Sequence, residues 1–248
     1  MGKKISRWEP DDFELEMTTH WSFPKRGDWA THDAKWRGNW SPYIPRNLML
    51  RYSQKGDLVL DQFAGGGTTL VEAKLLGRNV IGVDVNDIAL ERCKEKTDFQ
   101  HDGADGNVYI RKGDARNLSF IPDESIDFIC THPPYANIIK YSDSLEDDIS
   151  LLKVQDFLVE MEKVAAEAFR VLKSEKFCAV LMGDTRQKGH MIPMSFDVMR
   201  IFENVGFKLK EIIIKEQHNC RATGYWKTNS VKYNFLLIAH EYLFVFHK

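Results

Sequence analysis

Three consecutive glycines at positions 65–67 stand between a short apolar run and a segment of helical periodicity. The run DLVLD (57–61) predicts a buried strand, and TTLVEAKLLG (68–77) predicts a helix that ends at Gly77. Glycines at such a junction let the backbone approach a ligand closely, while the first turn of the helix attracts negative charge. We therefore expect a nucleotide-like ligand here. The alternative is a turn that only joins a strand to a helix.

The residues around the glycines argue against two common phosphate-binding loops. A dinucleotide fingerprint needs a glycine where Leu70 stands, and the Gly-Lys-Ser/Thr sequence of phosphate-loop proteins does not follow. Two acids remain, Asp61 just before the glycines and Asp84 near the end of a second predicted strand, NVIGVDV (79–85). An acid at the second position can accept hydrogen bonds from ribose hydroxyls, which favours a bound ligand over a plain turn.

Short apolar runs alternate with longer segments of helical period from about Gly56 onward. This alternation predicts an α/β fold with a mostly parallel sheet and helices on both faces. The last apolar runs, FLLIA (235–239) and YLFVFHK (242–248), predict an antiparallel extension at one edge. The intervening predicted elements are a helix from 88 to 96 capped by Asn86-Asp87, NVYI (107–110), IDFICT (126–131), a long amphipathic helix (155–173), FCAVLMGD (177–184), a helix (195–206) and FKLKEIIIK (207–215).

Cysteine usage and apolar run lengths narrow the class of protein. Four cysteines stand far apart without a C-x-x-C pair, so we expect neither a zinc ribbon nor a dithiol redox site, and no metal. No apolar stretch approaches the roughly 20 residues that span a bilayer, and the start MGKKISRWEP lacks the apolar run of a signal peptide. A cytoplasmic protein without a membrane partner is the expectation.

The charge balance hides a local basic segment. With 34 basic and 36 acidic residues the net charge is −2, which excludes a histone-like coating of nucleic acid. Residues 208–232, however, carry six basic side chains against two acidic ones, and their middle predicts a polar, basic loop near 217–232. Cations there suit phosphates and aromatic rings suit unstacked bases; the alternative is a solvated loop whose rings pack on the domain. The predicted nucleic-acid-binding residues are Arg221, Tyr225, Trp226 and Lys227.

The stretch VLDQFAGGGTTLVEAKLLGRNVIGVDVN (59–86) resembles the first two motifs of S-adenosylmethionine-dependent DNA amino-methyltransferases, the N4-cytosine and N6-adenine family of restriction–modification systems. The family's first motif is D-P-F-x-G-S-G-T-T, from which this sequence departs at Gln62 and Gly66. The resemblance implies a Rossmann-like methyltransferase fold with S-adenosylmethionine as its cofactor. It also implies that Asp114 contacts the adenine, and that a motif-ten helix in WSPYIPRNLMLRYS (40–53) closes over the methionine end. The implied cofactor-binding residues are Asp61, Phe63, Ala64, Gly65, Gly66, Gly67, Thr68, Thr69, Asp84, Val85, Asp114, Tyr43 and Arg46.

The sequence His132-Pro133-Pro134-Tyr135 follows the predicted strand IDFICT, at the edge where open α/β sheets bind ligands. Two prolines make this corner rigid. It resembles the D/N/S-P-P-Y/F motif of the same family, which implies that the four residues are catalytic. An exocyclic amine would donate hydrogen bonds to the first side chain and to the Pro133 carbonyl, while Tyr135 stacks on the base. His132 departs from the motif, and only a neutral imidazole can accept such a bond. The alternatives are a strand-end histidine without a catalytic role or an inactive site.

We predict from these motifs a site-specific DNA methyltransferase that acts on an exocyclic amino group, with cytosine N4 favoured. The base is flipped out of double-stranded DNA or presented by a single strand. The alternatives are an adenine-N6 enzyme, an RNA or protein amino-methyltransferase, and an inactive nucleic-acid-binding partner subunit. A restriction endonuclease is a candidate partner. Residues 1–39, which hold four of the six tryptophans, are predicted to form an N-terminal arm, and residues 40–248 a single catalytic domain.

Overall fold

The computed structural model describes residues 5–136, 147–218 and 221–248. Its main sheet has eight strands in the order β1-β9-β10-β6-β5-β2-β3-β4, and β7 and β8 form a separate hairpin. Strands β4, β3, β2, β5 and β6 run parallel, while β10 is antiparallel to both of its neighbours. The strands are β1 (His20–Trp21), β2 (Leu58–Asp61), β3 (Asn79–Asp84), β4 (Val108–Lys112), β5 (Ile126–Thr131), β6 (Leu172–Met182), β7 (Thr185–Gln187), β8 (His190–Ile192), β9 (Lys208–Glu216) and β10 (His240–His247).

Helices cover both faces of this sheet, because its central strands are apolar on both sides. The neighbours Phe128 and Ile129 on β5 enter opposite core clusters, as alternation along a strand requires. The Ile129 cluster contains residues of α4 and α5, and the Phe128 cluster contains residues of α1, α2 and α3. The predicted Rossmann-like fold is therefore confirmed. The helices are α1 (Tyr43–Tyr52), α2 (Thr68–Leu75), α3 (Asp87–Thr97), α4 (Val154–Val171), α5 (Met194–Asn204) and α6 (Arg221–Lys232), with a 3₁₀ helix over Ile149–Leu151.

Local chemistry sets where two of these helices begin. The Asn86 side chain accepts hydrogen bonds from the amides of Ile88 and Ala89, which confirms the predicted cap of α3. Helix α2 begins after Gly67, whose φ of 78° lies in the left-handed region. A side chain at this position would also meet Cys93, so glycine is required both by conformation and by space.

Two predicted elements differ in the structure. The segment predicted as a loop near 217–232 contains helix α6, whose described side chains after Trp226 are exposed or half-buried, so no buried stripe marked it as a helix. The apolar run at 235–239 is not a strand, and Leu236 is 83% exposed. Strand β10 begins only at His240, opposite Glu216, because its partner β9 ends there.

The N-terminal arm packs onto the rest of the chain. Its short strand β1 pairs with β9 in parallel at one edge of the sheet. Trp21 and Trp29 are almost fully buried, and the indole nitrogen of Trp29 donates to Glu72 of α2. These rings therefore cover apolar surface of the sheet and its helices. The boundary at residue 39 stays a prediction.

Candidate active site

A cavity opens at the carboxyl ends of β2, β3 and β5, where the parallel strands meet the loops that follow them. This is the edge at which α/β sheets of this kind bind ligands. Its wall brings together ten residues predicted from the sequence: Asp61, Phe63, Ala64, Gly65, Thr68, Asp84, Val85, Asp114, His132 and Pro134. We call it the cofactor cavity.

Two carboxylates, the buried Asp61 and the half-buried Asp84, hold the glycine loop in place. Asp84 Oδ2 accepts from the amide of Gly65 at 2.8 Å, and Asp84 Oδ1 accepts from the amide of Asn86 at 2.9 Å. Asp61 Oδ1 accepts from the amide of Phe63 at 3.1 Å and from the Thr131 hydroxyl at 2.9 Å. Burial raises the pKa of Asp84, and it raises the pKa of Asp61 to about 6. Each carboxylate keeps lone pairs for a ligand, since each oxygen can accept more than one hydrogen bond.

Gly66, Gly67 and Thr69, the other predicted residues of the glycine loop, are not among the residues that line the cavity. A Cβ at Gly66 would come within 2.3 Å of the Asn39 side chain, so a larger residue there would displace Asn39. Gly67 begins α2, and Thr69 is buried in its first turn. These three residues shape the loop, while those before and after them line the cavity.

The polar atoms of the cavity fit the amino-acid end of S-adenosylmethionine. Nδ2 of Asn39, a donor, and Oε1 of Gln62, an acceptor, are buried and have no hydrogen-bond partner within the described part of the chain. A carboxylate accepts hydrogen bonds and an ammonium donates them, so an amino acid satisfies both atoms. Gln62 supplies this acceptor where the related motif has proline, which offers no polar side-chain atom.

The cavity wall is acidic, which suits a cationic sulfonium ligand. Arg116 is half-buried among these acids and pairs with Asp114 at 2.6 Å, with Asp147 at 2.9 Å and with Glu160 at 2.7 Å. Asp114 thus borders the cavity as predicted, but it shares its oxygens with Arg116. The acidic residues of the wall are Asp61, Asp84, Asp114, Asp147 and Asp148.

Tyr43 and Arg46, predicted to line the cofactor pocket, lie elsewhere. Arg46 is buried against α2, where its Nη1 donates to Glu72 at 3.0 Å. The Tyr43 ring stacks on Phe23 with centroids 5.2 Å apart. Both side chains leave α1 on the face that contacts the N-terminal arm and α2, so the structure does not support their assignment to the pocket.

The residues just before α1 line the cavity in their place. Trp36, Asn39 and Trp40 all border it, and Trp40 is also a core residue. The sequence reasoning assigned no role in the cofactor site to these three residues or to Gln62 and Arg116. For Trp36, Asn39 and Trp40, the one sequence signal was the clustering of tryptophans and glycines directly upstream of the motif-ten segment.

His132 and Tyr135 begin a chain of hydrogen bonds. His132 Nε2 lies 2.9 Å from the Tyr135 hydroxyl, which donates to Glu241 Oε1 at 2.8 Å. Lys215 Nζ donates to the other oxygen of Glu241, also at 2.8 Å. The Trp40 ring stacks on the imidazole with centroids 5.5 Å apart and planes 23° apart. Burial lowers the pKa of His132 to about 4, so the imidazole is neutral at physiological pH.

A second cavity adjoins the first at this point. His132 and Trp40 border both cavities, so a group bound in the second cavity would face the cofactor cavity across the imidazole. Its other walls include the residues of the hydrogen-bonded chain, and we call it the substrate cavity. Among its wall residues are Pro133, Tyr135, Gly183, Asp184, Lys215 and Glu241.

The predicted nucleic-acid-binding residues lie on α6, and of these Trp226 and Lys227 border neither cavity. Trp226 is 45% exposed, and Lys227 is exposed beside it. The side chains of Arg221 and Tyr225 lie outside the described residues. A solvent-facing helix with a tryptophan and a lysine is a surface that can meet a polyanion.

Within the described ranges, no group of three His, Cys, Asp or Glu side chains is arranged to hold a metal ion. The helices of the same ranges all lack the length and apolar character needed for a bilayer span.

Comparisons with known proteins agree with this geometry. Residues 53–221 match a family model described as methyltransferase domain, and residues 2–95 match one described as DNA methylase. The tRNA (guanine(10)-N2)-dimethyltransferase of Methanothermobacter thermautotrophicus is 39% identical over 99 residues, which are 40% of this chain and 28% of that protein. The type II methyltransferase M.MjaVI of Methanocaldococcus jannaschii is 29% identical over 129 residues, 52% of this chain and 64% of that protein. This chain therefore spans less than two thirds of either relative.

The crystal structure of TrmN from Thermus thermophilus shares the fold, with a TM-score of 0.59 and 19% identity over 86% of this chain and 50% of that one. The matches confirm the predicted resemblance to DNA amino-methyltransferases. The match over residues 53–221 takes in the glycine loop, both of its acids and His132. This chain accordingly belongs to the methyltransferase domain family, and its cofactor is S-adenosylmethionine.

Proposed function

We propose that this protein transfers a methyl group to an exocyclic amino group of a DNA base, with cytosine N4 as the favoured target. The observation that carries the proposal is the position of His132, which borders both the cofactor cavity and the substrate cavity. A neutral imidazole there can accept a hydrogen bond from an amine next to the cofactor. The similarity of residues 2–95 to a DNA methylase model and the 29% identity over 129 residues to a type II methyltransferase support DNA as the substrate.

S-adenosylmethionine supplies an electrophilic methyl group when bound. Around it, Asn39 and Gln62 would hold the amino-acid end and Asp84 the ribose hydroxyls, while Asp114 would face the adenine. On the substrate side, the amine would donate one hydrogen bond to His132 and one to the Pro133 carbonyl. These bonds draw the nitrogen toward tetrahedral geometry and free its lone pair, so positioning provides most of the rate.

Rigid backbone supports this arrangement. His132 follows β5 directly and is itself followed by Pro133 and Pro134, so the ring of His132 and the carbonyl of Pro133 are held at the end of a buried strand. A base inside a duplex cannot reach this corner and must be flipped out, whereas a single strand can present it directly. The non-acidic first residue of the motif favours cytosine N4, and adenine N6 offers the same amine chemistry.

Guanine N2 in RNA is a second candidate, favoured by two observations. One is the 39% identity to a tRNA guanine-N2 dimethyltransferase over 99 residues. The other is the substrate cavity, whose wall holds the carboxylates of Asp184 and Glu241. Guanine presents two neighbouring donors, the ring N1–H and the N2 amine, and carboxylates are the acceptors that such an edge prefers.

The decisive experiment offers both nucleic acids to the purified protein. Unmethylated genomic DNA and unmodified tRNA are each incubated with S-adenosylmethionine bearing a deuterated methyl group, digested to nucleosides and analysed by mass spectrometry. N4-methylcytosine is the expected product, N6-methyladenine would reassign the base, and N2-methylguanosine from tRNA would support the second candidate. Absence of labelled nucleosides from both would overturn the proposal in favour of an inactive partner subunit.

The variant His132→Ala tests the role of this side chain in the same assay. Because the side chain acts on the amine rather than on the cofactor, turnover should fall by about 10²-fold or more while cofactor affinity stays within about twofold. Cofactor binding is measured by calorimetry on the same preparations. A large loss of cofactor affinity would show that His132 belongs to the cofactor site instead.

A further inference from the structure

The chain of hydrogen bonds behind His132 crosses three elements. It runs from Lys215 on β9 to Glu241 on β10, and from there to Tyr135 and His132 in the segment after β5. Its three links measure 2.8, 2.8 and 2.9 Å, and Glu241 is only 7% exposed. Such a buried chain of polar groups is costly unless each member is bonded in a defined direction.

Lys215 and Glu241 determine which atom of each hydrogen bond in the chain carries the proton. Lys215 can only donate. Burial acts to raise the pKa of Glu241, but Lys215, His132 and the bond from Tyr135 together bring it below its ordinary value, so Glu241 is a carboxylate that only accepts. The Tyr135 hydroxyl therefore gives its one proton to Glu241. Its oxygen is left as an acceptor, and the neighbouring Nε2 of His132 must be the donor.

This order of donors decides which nitrogen of the neutral imidazole keeps its lone pair. With the proton on Nε2, the lone pair is on Nδ1, and Nδ1 has no hydrogen-bond partner among the residues that the structure describes. We infer that Tyr135, Glu241 and Lys215 are positioning residues, which hold His132 in the tautomer whose Nδ1 accepts a hydrogen bond from the target amine. The role of Nδ1 toward substrate rests on the proposed function, whereas the tautomer itself does not.

The charged groups around His132 support the assignment. Burial is the largest influence on His132 and disfavours a charged imidazole; the carboxylate of Glu241 on β10 favours one, and the ammonium of Lys215 on β9 acts in the same direction as burial. Asp184, which shares the substrate cavity, directs Oδ1 to the amide and hydroxyl of Ser195 rather than to the imidazole. Gly183 packs on the Tyr135 ring, where a Cβ would approach to 2.8 Å, so the ring is held against the sheet and its hydroxyl stays in the chain.

Glu241→Gln tests the direction of the chain without changing its shape. Lys215 only donates, so the amide oxygen of the new glutamine must face it, and the amide NH₂ must face Tyr135. The Tyr135 hydroxyl then accepts from the glutamine and donates to Nε2 of His132, which moves the imidazole proton to Nδ1. We expect E241Q to reduce kcat on the order of 10²-fold or more, as a histidine in the wrong tautomer loses its acceptor, while the cofactor KM is unchanged.

A double variant distinguishes a change in the His132 tautomer from a general loss of structure at the site. Tyr135→Phe removes the link, so it leaves the tautomer free and should cost about tenfold in kcat. In E241Q/Y135F the glutamine can no longer act on His132, and kcat should recover to the level of Y135F. If the chain were only structural, the double variant would be as poor as E241Q or worse. Tyr242→Phe is the matched control, since it removes a hydroxyl bonded to His240 and should leave kcat unchanged.

Nitrogen-15 NMR of the histidine side chains reads the tautomer directly, with the His132 signals assigned from the His132→Asn variant. Wild type should show a protonated Nε2 and an unprotonated Nδ1 at pH 7.5, and E241Q should show the reverse with the other histidine signals unchanged. A wild-type Nδ1–H tautomer, or the same tautomer in E241Q as in wild type, would overturn the inference. If the tautomers behave as expected but neither DNA nor tRNA is methylated, the proposed function fails and the inference about the chain stands.

Discussion

His132 can accept a hydrogen bond only as a neutral imidazole, and its surroundings keep it neutral well below physiological pH. A free histidine has a pKa near 6.5, and burial beside Trp40 and Tyr135 lowers that of His132 to about 4. A neutral histidine therefore has the acceptor that the proposed role requires, where related motifs carry Asp, Asn or Ser. The motif alone predicted the position and the need for neutrality, and the packing extends the neutral range to lower pH.

The pH dependence of turnover follows from this shift. Since protonation removes the acceptor, kcat at saturating cofactor should be flat from about pH 8 down to about pH 5 and fall below it. Asp61, with a pKa of about 6, should affect the cofactor KM in the same range but not the plateau of kcat. Initial rates over this range, with folding checked by circular dichroism, measure the profile. A fall in kcat centred near pH 6.5 would contradict a desolvated His132.

Asp84 borders the cofactor cavity and is the residue proposed to bind the ribose hydroxyls. Asp84→Ala should weaken S-adenosylmethionine binding by about 1–3 kcal/mol, the range of charge-assisted hydrogen bonds, as measured by calorimetry. Asp84→Asn keeps an oxygen for the Gly65 amide and should lose less. Asp87→Ala is the control, because Asp87 is exposed on α3 and bonds Lys112. Equal affinities for D84A and D87A would place the ribose elsewhere.

Among the helices and strands, a regular spacing of apolar residues decided which elements could be predicted from the sequence. Helix α4 has a buried stripe that includes Phe157, Met161 and Val164, and its bounds were predicted to within two residues. The side chains of helix α6 that the structure describes form no such stripe, and the segment was predicted as a loop. The run at 235–239 is apolar enough for a strand but has no opposing residues of β9, which ends at Glu216. Where the neighbouring strand ends, the apolar composition of a segment predicts poorly whether its side chains are buried.

Helix α6 carries a prediction about nucleic acid. Trp226 and Lys227 are exposed on it, so Trp226→Ala should weaken DNA binding by about 1–3 kcal/mol and Lys227→Ala should lower the salt dependence of binding by about one unit. Fluorescence anisotropy with labelled oligonucleotides at several salt concentrations measures both. Lys173→Ala, at the amino end of β6 and thus opposite the cavities, is the control. If all three variants bind like wild type, α6 is not the DNA surface.

For the whole molecule, the N-terminal arm shares one buried polar network with helices α1 and α2. The carboxylate of Glu72 on α2 accepts from Trp29 and His32 in the arm and from Arg46 on α1, with all contacts between 2.7 and 3.0 Å. Burial lowers the pKa of His32, so it donates as a neutral ring. Arg46, in the segment that resembles motif ten, thus links α1 to Glu72 and through it to the arm. Trp36 and Trp40 lie between His32 and α1 in the chain and border the cavity.

Removing Glu72 should therefore destabilise the whole chain. Glu72→Ala removes the buried acceptor shared by Trp29, His32 and Arg46, and leaves Arg46 paired with the more exposed Glu9. We expect the free energy of unfolding to fall by about 3–5 kcal/mol in urea titrations. Glu91→Ala, which removes an exposed carboxylate paired with Lys94 on α3, should change it by less than about 0.5 kcal/mol. A similar small effect for E72A would mean that the arm folds independently of the network.

The sequence by itself determined the order of strands and helices from β2 to β6, the glycine loop with Asp61 and Asp84, and the rigid corner at His132. These depend on short stretches of chain, where periodicity, glycine and proline act locally. Only the tertiary structure decided that Asn39, Gln62 and Trp40 line the cavity, that Tyr43 and Arg46 do not, and that Lys215 and Glu241 reach His132 from β9 and β10. Glu241 lies more than a hundred positions from His132, and the pairing of β10 between β9 and β6 brings the two together. No local pattern encodes such a contact, because it arises from the register of the sheet.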